Sequence, residues 1–128
     1  MRRLAVALAA AVVLFGAGTW LALEGQEVAV LHTASGGTRL WPVEDAAGTT
    51  WIEAGNPERS FYRDLRASPD VTLERGGVVR PYRAVPVETP EAHERVRRLL
   101  AAKYGFADRW IGILVDTSRS VAIRLEPR

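Results

Sequence analysis

The feature that most constrains this chain is a run of twenty residues, Leu4 to Leu23 (LAVALAAAVVLFGAGTWLAL), without one charged side chain. A helix of that length spans about 30 Å, the thickness of a bilayer's hydrocarbon core. Trp20 sits near one end, where an amphipathic ring suits the interface. Arg2 and Arg3 flank one side, Glu24 and Glu27 the other, which keeps the basic end cytoplasmic and sends the rest of the chain outward. The expectation is a single-pass membrane anchor over residues 1–25 and a domain over residues 26–128. The alternative is a signal peptide removed on export, although the run is long for one and no clean A-x-A step stands directly before Glu24.

The remaining hundred or so residues suffice for one domain. With 48% hydrophobic and 25% charged residues, the composition is that of a folded chain. Setting aside Arg2 and Arg3 leaves fifteen basic against fifteen acidic side chains, and the basic ones are scattered. Without a basic stripe or patch, nucleic acid is not an expected partner. Cysteine is absent, which removes disulfides, thiol nucleophiles and thiolate metal ligands together.

Beyond the apolar run the periodicity changes. Glu27 to Thr33 (EVAVLHT), Thr38 to Glu44 and Thr49 to Ala54 read as three strands joined by short polar turns, an antiparallel meander. Asn56 and Pro57 suit the N-cap and first position of a helix bearing Phe61, Tyr62 and Leu65 on one face; Ser68-Pro69 ends it. Val71 to Glu74 and Val78 to Glu88 flank Arg75-Gly76-Gly77, a hairpin signal. Pro81 and Pro86 require that second strand to be an edge, bulged, or bent round a corner. Thr89-Pro90-Glu91 opens a helix with Ala92, Val96, Leu99 and Leu100 buried and Gly105 as its stop. Phe106 to Val115 continues as a short helical stretch, and Ser120 to Glu126 is the last strand. Six strands with two or three short helices make an α+β domain built on a small antiparallel barrel.

Common catalytic signatures are missing: there is no P-loop, no GxGxxG and no HExxH. His32 on its strand reads as a packing or surface histidine, and His93 as a solvated one. Ser35 near His32 lacks an orienting carboxylate and an oxyanion hole. A better constellation is a pair of turns. Ser35, Gly36, Gly37 and Thr38 offer backbone N–H groups and hydroxyls beside the Arg39 fork, an arrangement that holds anions. Gly55-Asn56 precedes a helix N-terminus, a second anion seat. Trp41, Trp51 and Phe61 then wall a flat slot for a ring. Two ordinary turns and three core aromatics account for the same residues.

The stretch from His32 to Pro69 resembles the split β-barrel reductases of the deazaflavin-dependent nitroreductase/quinone reductase family. The resemblance is carried by Thr33 with Gly36 and Gly37, then Arg39, Pro42-Val43, Ala54-Gly55, Phe61-Tyr62 and Ser68-Pro69. The helix Thr89 to Tyr104 and the last strand come in the family's order. It implies a six-stranded split barrel, an oxidoreductase reducing a quinone, nitro compound or similar small acceptor, and pairing into a homodimer. By the same resemblance Ser35, Gly36, Gly37, Thr38 and Arg39 hold the cofactor's phosphate end. Trp41, Ala54, Gly55 and Asn56 line its ring, and Phe61 and Tyr62 form the substrate edge. Three departures bear on the cofactor: the first turn carries no extra basic residue, the loop before the aromatic helix is shorter, and Asp64 stands where the family commonly has Asn. The candidates are an 8-hydroxy-5-deazaflavin coenzyme, FMN, another planar ligand, or none. A non-catalytic ligand-binding barrel is the alternative to an enzyme.

Overall fold

A computed structural model describes the backbone of residues 1–23 and 27–128 and the side chains of residues 1–17 and 27–128. Four helices and seven strands occupy the described residues. They are α1 (Arg2–Leu23), β1 (Ala29–Thr33), β2 (Gly36–Leu40), β3 (Val43–Glu44), β4 (Thr50–Ala54), α2 (Ser60–Ala67), β5 (Asp70–Arg75), β6 (Val78–Val87), α3 (Pro90–Tyr104), α4 (Phe106–Leu114) and β7 (Val121–Pro127). The strands form one antiparallel sheet in the order β2-β1-β5-β6-β7-β4-β3.

That order dictates curvature. β2 and β3 lie at opposite ends of the sheet, yet only Trp41 and Pro42 separate them. Three residue steps reach about 11 Å at most, so the two rims must approach each other and the sheet curls into an open half-barrel. The single strand expected from Thr38 to Glu44 is therefore two, which makes seven strands and not six. Pro42 explains the break, since it fixes its own φ and donates nothing to a ladder. Its carbonyl accepts from the Tyr104 hydroxyl at 2.6 Å and from Lys103 Nζ at 3.0 Å, which ties the corner to the end of α3. The expected meander fails at the same point: β3 pairs with β4 across the sheet from β2.

Apolar alternation places the core. Leu31, Ile52, Leu73, Ile123 and Leu125 point into the barrel, and α2 plugs it with Phe61, Tyr62 and Leu65. The opposite faces of β4 and β7 present Trp51 and Ala122 to Val96, Leu100 and Tyr104 of α3. Both strands are thus buried on two sides, as their period-2 sequences allow. The prolines of β6 fit because the strand turns a corner. Pro81 lies where only β5 pairs with it, and Pro86 where only β7 does.

Thr89 and Pro90 start α3 as expected, with Thr89 Oγ1 accepting from Ala92 N at 3.2 Å. Asn56 and Pro57 do not start α2. The Asn56 side chain accepts from Glu58 N at 3.0 Å, closing a turn, and the helix begins at Ser60.

α1 requires a larger correction. Among the described residues no helix is long and apolar enough to cross a membrane. α1 lies against α4, where the Phe15 and Trp110 ring centroids are 6.0 Å apart. The transmembrane anchor is not retained. Nor are the localisations built on it, a membrane protein with its domain outside the cytoplasm or one exported after cleavage. Trp20 and Glu24, the proposed interface ring and acidic flank, lie outside the described side chains.

Candidate functional site

A cavity of about 550 Å³ opens at the split in the barrel. Thr38, Arg39, Leu40 and Trp41 supply one wall from the β2 rim. Glu53 and Gly55 come from the end of β4, next to the other rim, and Arg59 and Phe61 from the start of α2. Leu100 of α3 and Ile111 and Val115 at α4 close the back. The size is that of pockets that enclose small organic ligands.

The charges on these walls divide into two kinds. Arg97 is committed within the protein. Its Nη1 donates to Glu53 Oε1 and Oε2 at 3.0 and 3.2 Å, and its Nη2 to Asp108 Oδ1 and Oδ2 at 2.8 and 2.9 Å. Burial works against the cation, but the two carboxylates outweigh it and raise the Arg97 pKa. Arg39 and Arg59 are different: among the described residues neither has a carboxylate partner. Arg59 lies over the Phe61 ring, 5.7 Å from its centroid. The cavity therefore combines apolar walls with two guanidinium groups free to meet an anion.

The expected site residues separate accordingly. Thr38, Arg39, Trp41, Gly55 and Phe61 line the cavity. Trp41 presents one face only, since the other stacks on Tyr104 with centroids 4.8 Å apart. Ala54 and Tyr62 are buried in the barrel core, and the Tyr62 hydroxyl donates to Glu88. Asn56 is engaged in its turn. Ser35, Gly36 and Gly37 lie at the exposed end of the β1–β2 hairpin, next along the strand from Thr38 and Arg39, and do not themselves line the cavity. Trp51 is core, its Nε1 donating to Asp45 Oδ2 at 3.0 Å.

Sequence reasoning missed Glu53, Arg59, Arg97 and Asp108. The strand period held a signal for one of them: with Ile52 and Ala54 inward, Glu53 must share the α3 face with Trp51. His93, expected in solvent, is half-buried. Its Nδ1 lies 3.1 Å from the Ser120 carbonyl and 3.2 Å from Ser120 Oγ, which itself donates to Glu53 Oε2 at 2.9 Å. A carbonyl accepts only, so Nδ1 carries the proton, and the serine hydroxyl is spent on Glu53. This is a positioning network, not an activated nucleophile. His32 pairs with Glu74 at 3.2 Å.

The half-barrel fold is shared with several solved structures. A pyridoxamine 5'-phosphate oxidase-like protein of Listeria innocua is similar over 84% of this chain and 89% of its own, at 19% identity and a TM-score of 0.57. An F420-H2-dependent reductase is similar over 77% of this chain and 93% of its own, at 24% identity and a TM-score of 0.56. A domain-swapped dimer is similar over 81% of this chain and 82% of its own, at 24% identity and a TM-score of 0.57. At these identities the likeness establishes the fold. No protein-family model and no curated protein matches the sequence.

Proposed function

We propose that the cavity binds a flat, negatively charged redox ring, a flavin or an 8-hydroxy-5-deazaflavin, and that the chain is an oxidoreductase acting on a small acceptor such as a quinone or nitro compound. The observation that carries this reading is the conjunction of ring-sized apolar space with Arg39 and Arg59, which among the described residues have no carboxylate partner. It is supported by the company the fold keeps. Such a ring, when bound, supplies hydride transfer; the protein supplies position, charge and exclusion of water. Leu40, the free face of Trp41, Gly55 and Phe61 would flank the ring, with Phe61 toward the acceptor. Arg39 and Arg59, beside Thr38, would hold its anionic group. A homodimer, implied by the resemblance and matched by the domain-swapped relative, belongs to the same proposal.

The test is titration of the purified chain with FMN and with 8-hydroxy-5-deazaflavin, monitored by fluorescence, then reoxidation of the chemically pre-reduced bound ring by menadione, which takes up the hydride and a proton. Saturable quenching with reoxidation is the expected result. Binding without reoxidation assigns a binding module instead, and failure of both rings to bind removes the proposal. Replacing Arg39 with Ala is expected to weaken binding of the anionic ring by roughly 1.5–3 kcal/mol, the worth of a hydrogen bond to a charged group. Unchanged affinity would reject its role.

A further inference from the structure

The β1–β2 hairpin reverses at Ala34 and Ser35, between the paired Thr33 and Gly36. Two of its donors are already in use. Asp64 of α2 accepts from the Ser35 backbone N–H at 2.8 Å and from the Thr33 hydroxyl at 2.8 Å, both on Oδ2. Donors that converge on one oxygen are what a turn presents to a ligand's phosphate or carboxylate. Here the protein provides that oxygen itself. The same helix contributes Phe61 to the cavity, and Arg59 immediately precedes it, so clasp and cavity share one rigid element.

We infer that Asp64 is a specificity-determining residue: its carboxylate fills the anion seat of the β1–β2 turn and leaves a ligand's negative charge to Arg39 and Arg59 in the cavity. This rests on the ring-binding reading above. The mechanism is competition. A phosphate arriving from solution must displace an anion already tethered at high effective concentration, and must approach a like charge to do so. The Ser35 hydroxyl and amide and the Thr33 hydroxyl hold the Asp64 carboxyl below the usual carboxylate range, which keeps the seat charged at neutral pH.

Two measurements on the full chain test this. The first is titration of the ¹⁵N-labelled protein with inorganic phosphate, monitoring the Ser35 amide. In the wild type it is expected to show no saturable shift; in Asp64→Ala, which frees the donors, it is expected to saturate. Asp64→Asn retains an oxygen acceptor while removing the charge, and it decides the matter by the same titration if Asp64→Ala does not fold. The second compares FMN with riboflavin, which has the ring without the phosphate. The preference for FMN should rise by roughly tenfold or more in Asp64→Ala, and by less in Asp64→Asn, with riboflavin affinity unchanged. A Ser35 amide that already saturates with phosphate in the wild type, or an FMN preference unmoved by both substitutions, overturns the inference. If neither ring binds any form of the protein, the ring-binding reading fails, and the phosphate titration still decides whether Asp64 fills the seat.

Discussion

Asp64 also ties stability to pH. Its carboxyl is lowered in the folded chain by Ser35 and Thr33, whereas the unfolded chain offers it only water. The folded state therefore binds the proton less readily. Its contribution is complete above the unfolded pKa and is lost as pH falls through the folded one. Urea unfolding between about pH 5 and 2 should show a steeper loss of stability in the wild type than in Asp64→Asn, and equal slopes would deny the clasp any part in acid sensitivity. Residues of this sort were the least legible in the sequence. Asp64 stands 31 and 29 positions from Thr33 and Ser35, and nothing local to α2 signals that a hairpin turn will lie against it. Arg39, Trp41 and Phe61 were legible as a charge and two rings near one another, whereas the neutralisation of Arg97 by Glu53 and Asp108 needed the packing of α3 on β4 to be known.

At the scale of elements, local chemistry predicts boundaries well where the chain satisfies its own backbone. Thr89 and Pro90 cap α3, and Thr89→Ala should cost about 1 kcal/mol through the lost bond to Ala92 N, read as a shift in the denaturant midpoint at constant slope. A loss below a few tenths would mean that water replaces the cap. The β5–β6 turn is similarly self-specified: Gly76 and Gly77 have φ of 54° and 79°, the positive pair that a two-residue hairpin loop requires. The start of α2 was misread because Asn56-Pro57 serves a tight turn as well as a helix cap, and the choice depends on where Phe61 and Tyr62 must reach to plug the barrel. The split of one expected strand into β2 and β3 has the same origin, since Pro42 marks a break without saying where the chain goes next.

For the whole molecule, burial on both faces makes β4 and β7 the most protected part of the fold. Amide hydrogen exchange should be slowest at Ile52 and Ile123, and fastest along residues 4–14 of α1, whose side chains are exposed. Slower exchange in α1 than in β4 would contradict this ranking. The strand order itself was not legible, because pairings such as β1 with β5 and β4 with β7 join segments far apart in sequence, and turn chemistry speaks only to adjacent ones. The Trp41–Pro42 corner has one more effect. A sheet offers its unpaired N–H and C=O groups along its outermost strands, and long outermost strands invite foreign chains to add on. Here those strands are five and two residues long, two of the five are glycines, and the corner draws their joined ends together. The device that opens the cavity thus also leaves little template for amyloid-like stacking.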